Sequence, residues 1–202
     1  IQRALAIDPA VGTTYLDAEH VVFLMQENRS FDHLYGSLKG VRGFNDPRAI
    51  QLPNKYPVWF QSNLKGETYG PFRLGLKDTK ATWMSSLPHS WSNQIAARNE
   101  GKHDQWLEAK KSGNEAYADM PLTMGYYNRE DLPFYYALAD AFTVCDHHFC
   151  SSLTGTSTNR CFFWTGKIRE KQNAESKPHL SNGQIDGSEK ISWNTFPERL
   201  SQ

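Results

Sequence analysis

The chain of 202 residues contains no apolar run long enough to cross a bilayer as a helix, which takes about 20 such residues. It carries no net charge, with 22 Lys and Arg set against 22 Asp and Glu. No overall basic field therefore argues for nucleic acid or for an anionic membrane. Cysteine is scarce: Cys145, Cys150 and Cys161 are the three present. An odd number cannot pair completely within one chain, and their spacing fits no common zinc pattern. One disulfide with a free thiol and three buried thiols both remain open. Gly-rich phosphate loops are missing, and so is a G-x-S-x-G elbow, which excludes the nucleotide-loop and serine-elbow chemistries. No internal repeat is present, and the start at Ile1 reads as that of a mature or trimmed chain, with no secretory leader expected within it.

What is there begins with residues 20–36, HVVFLMQENRSFDHLYG. The run Val21 to Met25 is apolar and partly β-branched, which predicts a strand buried on both faces. Ser30 can cap a helix that follows at once. Glu27 and Asn28 then sit where a buried strand gives way to a helix, the edge at which open α/β sheets bind ligands. A carboxylate beside an amide oxygen offers two hard ligands to a divalent cation. The plainer alternative pairs Glu27 with Arg29 and leaves Asn28 to turn the chain.

Residues 1–19 read as an arm, and 40–82 as a long irregular excursion with short strands at most, such as Tyr56 to Phe60. Many aromatics sit in polar surroundings, among them Trp83, Trp91 and Trp106. Ser90 or Ser92 predicts a helix running to Arg98, and His103 to Lys111 a second short one stopped by Gly113. Thr123 to Tyr127 reads as a turn. A further helix is expected with Asp131 as cap, Pro133 in its first turn, and Phe134, Leu138 and Ala141 on one face. Ala141 to Cys145 is a second buried-strand candidate, and Ile191 to Trp193 a short strand. Of His33, His103, His147, His148 and His179, the pair His147-His148 beside Asp146 suggests a metal site, but adjacent residues on an extended segment point to opposite sides and both rarely bind one ion. Asp32 reads as a helix-start residue favoured by the dipole.

The second informative stretch is Ser151 to Gly166, SSLTGTSTNRCFFWTG. Hydroxyls crowd a loop, Asn159 opens an apolar helix, and Gly166 stops it. A hydroxyl at such a helix N-terminus is placed to attack phosphorus while backbone N–H groups steady the phosphoryl oxygens. Ser and Thr also cap helices without any such role. Arg160 serves equally to contact a phosphate or to pair with a nearby acid.

Taken together, HVVFLMQENRSFDH at 20–33, LPHSW at 87–91, TMGYY at 123–127, DLPFY at 131–135 and the Asn159–Arg160 pair resemble the bacterial phosphoesterase family of phospholipases C and acid phosphatases. The match spans most of residues 15–200. The resemblance implies an alkaline phosphatase-like α/β fold, a mostly parallel sheet with helices on both faces. It implies Glu27 and Asn28 as metal ligands, and Thr156 as both nucleophile and ligand. His89 would lie near the substrate phosphate, with Asn159 and Arg160 on the substrate. Family members usually carry Pro before the Asn-Arg pair where this chain has Thr158, so Thr154 and Ser157 remain alternatives to Thr156. Acidic and histidine ligands of the family come later than residue 202. A helix beginning at Phe196 runs into the end of the sequence, so residues 1–202 are expected to be the N-terminal part of one catalytic domain and to be inactive alone.

The activity so implied is phospholipase C-type hydrolysis of phosphodiesters such as phosphatidylcholine-like lipids, through one divalent ion (Ca²⁺, Mg²⁺, Mn²⁺, Zn²⁺ or Fe). An acid phosphomonoesterase and a non-catalytic surface binding module are the other readings. A phospholipid or small phosphoester is the expected partner, with transient contact at a membrane surface and none with nucleic acid. Export to the bacterial periplasm, envelope or beyond is implied as well, where Cys145–Cys150 or Cys150–Cys161 could oxidise.

Overall fold

The computed structural model describes residues 2–81, 86–184 and 192–202. It is mixed α/β, with seven α-helices and four two-residue strands among those residues. The helices are α1 (Gln2–Leu5), α2 (Phe31–Tyr35), α3 (Trp91–Arg98), α4 (Trp106–Ala109), α5 (Pro133–Ala141), α6 (Thr156–Thr165) and α7 (Phe196–Leu200). Strands β1 (Gln61–Ser62) and β2 (Thr68–Tyr69) pair antiparallel, and β3 (Phe72–Arg73) and β4 (Gly125–Tyr126) pair parallel. The mostly parallel sheet is not formed among the described residues; two small sheets stand in its place.

The expected buried strand at Val21 to Met25 does not form: the run pairs with nothing among the described residues, and its five side chains are 49–90% exposed. Its composition is that of an interior strand, and burial depends on neighbours that lie elsewhere in sequence. The second candidate, Ala141 to Cys145, fails for a local reason: α5 takes Ala141 as its last residue, and no strand follows. Tyr56 to Phe60 supplies one isolated bridge, Gln51 with Pro57, rather than a strand. Ile191 and Trp83 lie outside the described residues, and Ser192–Trp193 form no strand.

Residues 40–81 do more than wander. They contribute Leu52, Leu74 and Ala81 to the buried apolar set, and Leu74 and Ala81 pack with Tyr127 against Leu34, Phe72, Leu76 and Leu132. Strand β3 can approach β4 because residue 125 is glycine: a Cβ there would stand 2.7 Å from Leu74 Cδ2. The pairing continues through Leu74 N–H to the Tyr126 carbonyl, 2.9 Å.

The helix starts follow their caps. Ser30 Oγ accepts from His33 N–H at 3.3 Å, as the sequence predicts for α2. α7 opens with a capping box between Thr195 and Glu198 and closes at Leu200. Pro133 does take the first helical position of α5, but its cap is Leu132, not Asp131. Asp131 turns instead to Arg73, accepting from Nε and Nη2 at 2.9 and 3.0 Å. A guanidinium outbids an unpaired helix N–H for a carboxylate. The buried residue of α5 is Tyr136, while Phe134 is exposed. The Tyr136 hydroxyl donates to the Leu34 carbonyl at 3.0 Å, and His33 Nδ1 donates to the Gly125 carbonyl at 2.8 Å. These two bonds tie α2 to α5 and β4, which fixes the chain direction directly after Glu27 and Asn28. All three cysteines are free, Cys161 buried and the other two exposed, so neither candidate disulfide forms.

Candidate functional site

α6 begins at Thr156, not at Asn159, and it has Gly155 as its N-cap residue. Glycine has no side chain with which to cap, so the first-turn N–H groups must look elsewhere. Asn182 supplies one acceptor: its Oδ1 takes the Ser157 N–H at 3.0 Å. Gly155 is what admits it, because a Cβ there would lie 2.8 Å from that same oxygen. A second tie comes from the fully buried Thr158, whose hydroxyl donates to the His179 carbonyl at 3.0 Å. The other end of α6 closes as predicted, with Gly166 at φ 72° in the left-handed region that glycine favours.

Asn159 fastens the hydroxyl-rich loop. Its Oδ1 accepts from Ser152 N–H at 3.1 Å, and its Nδ2 donates to the carbonyls of Ser152 and Gly155 at 3.2 and 3.1 Å. Thr154 is buried in that loop, and Ser157 uses its backbone on Asn182. Of the three hydroxyls open as nucleophile, Thr156 is the one that meets Glu27. Its Oγ1 donates to Glu27 Oε1 at 2.6 Å across 129 positions of sequence. Arg160, one turn further along α6, places Nη2 3.3 Å from the other carboxylate oxygen. Arg29, the partner offered by the plainer reading, donates instead to the Asn28 carbonyl at 2.9 Å. Asn28 turns the chain at φ 65°, a left-handed conformation that asparagine tolerates.

Glu27 is held below the ordinary carboxylate range, first by the Thr156 hydroxyl, then against some desolvation by the hydrogen bond and charge of Arg160 and by the charge of His89. His89 is thus within electrostatic reach of Glu27. Its Nδ1 lies 2.9 Å from the Leu87 carbonyl. A carbonyl only accepts, so Nδ1 carries the proton and Nε2 is the free ring atom. Glu27, Thr156 and Arg160 therefore gather in one place, Asn28 adjoins them in sequence, and His89 reaches Glu27 through its charge alone.

The oxygens of Glu27, Asn28 and Thr156 are the hard donors that Ca²⁺, Mg²⁺ or Mn²⁺ prefer. One carboxylate supplies little of the charge such an ion needs, and no group of three or more His, Cys, Asp or Glu residues gathers around a common point among the described residues. The donor set fits part of a metal shell. A cleft of about 690 Å³ opens at the opposite end of α6, between Phe163, Trp164, Phe196 and Arg199. None of the gathered residues lines it.

Three participants escape sequence reasoning. The Tyr135 hydroxyl donates to Gln26 Oε1 at 3.4 Å beside Glu27. Asn182 caps α6 from 25 residues away. Lys110 is buried to 6% exposure, where a lysine reads as solvent-facing. The aromatic helix start at 134–135 could have pointed to the first; no local pattern marks the other two.

A family profile described as the phosphoesterase family matches residues 18–202. The chain is 43% identical to the hemolytic phospholipase C of Pseudomonas aeruginosa over 206 residues, covering all of this chain and 27% of that protein. It is also 43% identical to a non-hemolytic phospholipase C of the same organism, covering 99% of this chain and 28% of that protein. With phospholipase C A of Mycobacterium tuberculosis the identity is 37%, over 99% of this chain and 38% of the relative. The chain thus spans between about a quarter and two-fifths of the length of these relatives.

Proposed function

The chain belongs to the phosphoesterase family, and from that premise we propose that it carries the attacking half of a phospholipase C-type phosphodiester hydrolase. The observation that carries this reading is the 2.6 Å hydrogen bond from Thr156 Oγ1 to Glu27 Oε1. A threonine hydroxyl is a weak nucleophile until something takes or polarises its proton. Here it stands at the N-terminus of a ten-residue helix, facing a carboxylate, with a guanidinium alongside.

In the reaction, Thr156 Oγ forms a bond to phosphorus and the bond from phosphorus to the diacylglycerol oxygen breaks. Glu27 accepts the hydrogen bond of that hydroxyl and so polarises it. The proton ends on the leaving alkoxide, carried by His89 Nε2, and water then releases the phosphothreonine by the reverse transfer. Arg160 stabilises the equatorial phosphoryl oxygens. Asn159 acts by holding the 152–155 loop that delivers Thr156. Glu27, Asn28 and Thr156 would hold a divalent ion, which would supply positive charge that makes the alkoxide easier to form.

The natural substrate on this reading is a phosphatidylcholine-like lipid met at a membrane surface, and the protein works in the bacterial envelope or outside it. On the same reading the full-length protein has an alkaline phosphatase-like fold, in which strands from elsewhere in sequence would take Val21 to Met25 into a mostly parallel sheet. The bacterial phospholipases C among the relatives support the substrate class. No described helix is long and apolar enough to cross a membrane.

The test uses the full-length gene product with p-nitrophenylphosphorylcholine and added Ca²⁺, Mn²⁺ or Zn²⁺. Thr156→Ala is expected to lower kcat by about 10³-fold or more, as loss of a nucleophile does. A variant that keeps a tenth of the parent rate would move the nucleophile elsewhere. Faster turnover of p-nitrophenyl phosphate would make the enzyme a monoesterase, and no turnover of either compound would make it a binding module.

A further inference from the structure

His89 stands just before α3, where Ser90 is anchored as the N-cap residue with its carbonyl accepting from Gln94 N–H at 3.1 Å, while the Leu87–Pro88 side of the loop does little to hold itself. Pro88 has no N–H to give, and the Leu87 carbonyl is taken by the His89 ring. The loop is secured from outside, by Lys110 at the end of α4. The Lys110 ammonium donates to the Pro88 carbonyl at 2.9 Å and to Gln94 Oε1 of α3 at 2.9 Å. It also lies 5.9 Å from the centre of the Trp106 ring. Both hydrogen-bond acceptors are neutral, and the side chain makes no ion pair among those described. Burying an ammonium without a counter-ion is costly, and desolvation lowers the Lys110 pKa accordingly. A methionine would fill such a site at less cost, so the geometry asks what the cation does there.

We infer that Lys110 is a positioning residue, which clamps the Leu87–Ser90 loop through the Pro88 carbonyl and so fixes the His89 ring with Nδ1 protonated and Nε2 free. The inference rests on the role given to His89 in the proposed function. Its logic is that of an outer-shell partner: the ring is oriented by Leu87, Leu87 by the loop, and the loop by a buried cation bridging α3 and α4. The compact ammonium suits this, since it can point separate donors at two acceptors on different segments.

The experiment takes the full-length gene product labelled with ¹⁵N-histidine, and compares the parent with Lys110→Met and His89→Ala. Lys110→Met is expected to lower kcat on p-nitrophenylphosphorylcholine at least tenfold with KM within twofold. The His89 ring should change from one Nδ1-protonated tautomer to an averaged signal in long-range proton–nitrogen spectra. If Lys110→Met does not fold, Gln94→Met is used; it removes the second acceptor that holds the ammonium, and the same two changes are expected. A parent-like His89 signal in whichever variant folds overturns the inference, as does a parent-like kcat when His89→Ala is impaired. Should His89→Ala prove as active as the parent, the catalytic reading of His89 falls, and the ring signal alone still decides whether Lys110 sets its tautomer.

Discussion

Glu27 and Asp131 are both carboxylates with lowered pKa, yet they answer to different partners. Glu27 is lowered first by Thr156, at an open site; Asp131 is lowered first by Arg73, in a buried position. In each case the folded pKa lies below the unfolded one. The stabilisation is therefore present above the unfolded values of about 4 and is lost as pH falls through the folded ones. Urea midpoints are expected to fall as pH drops below about 4, and Asp131→Asn should flatten that dependence. An Asp131→Asn profile as steep as the parent's would show that other groups govern it. Asp131→Ala leaves Arg73 with Glu130 alone and removes the acceptor for Asn128 and Leu76 N–H, and a loss of about 1–2 kcal/mol is expected in equilibrium unfolding. At Glu27 the expected effect is on rate: Glu27→Gln keeps the shape but removes the charge, and kcat/KM should fall about 10²- to 10³-fold in the full-length gene product.

At the scale of the element, α6 owes its start to a residue far outside it. Asn182→Ala should cost about 1 kcal/mol, the usual worth of an N-cap, and Gly155→Ala should cost a similar amount by displacing the same oxygen. The double variant should then be no worse than either alone, because both remove one contact; additive losses would contradict the capping role. The same turn accounts for Thr158 standing where relatives are expected to carry proline. Its N–H precedes the first intrahelical bond, from Asn159 N–H to the Gly155 carbonyl at 3.3 Å. A proline is tolerated there, and only the hydroxyl bond to His179 is lost. Helices were legible from local chemistry of this kind, as Ser30, Pro133 and Gly166 show. Strands were not: the apolar run at 21–25 states that it suits an interior, but which neighbours bury it is a long-range fact. Asp131 shows the same limit inside a helix signal, since Arg73, which captures it, lies 58 positions away. The Glu27–Thr156 contact was reached through family resemblance, because no periodicity links two residues so far apart. Lys110 and Asn182 were invisible for that reason also.

For the whole molecule, the decisive quantity is charge around the prospective ion. Glu27 contributes one negative charge, and hard divalent ions usually gather six or more oxygen ligands, several of them carboxylates. Residues 1–202 expressed alone are therefore expected to bind Ca²⁺ or Mn²⁺ only in the millimolar range by calorimetry, and to release no measurable p-nitrophenol from p-nitrophenylphosphorylcholine. Turnover near that of the full-length gene product would show that the site is complete within these residues. The unpaired run before Glu27 has a further consequence, which is one of time. Among the described residues, Val21 to Met25 make no backbone hydrogen bond, whereas Tyr127 N–H is held by the His33 carbonyl at 2.9 Å. In deuterated buffer the first five amides should exchange within seconds, and that of Tyr127 only when the core opens. Glu27 thus hangs at the end of a segment with almost no opening free energy of its own. The clock of the 21–25 amides should slow only when something lays itself alongside them.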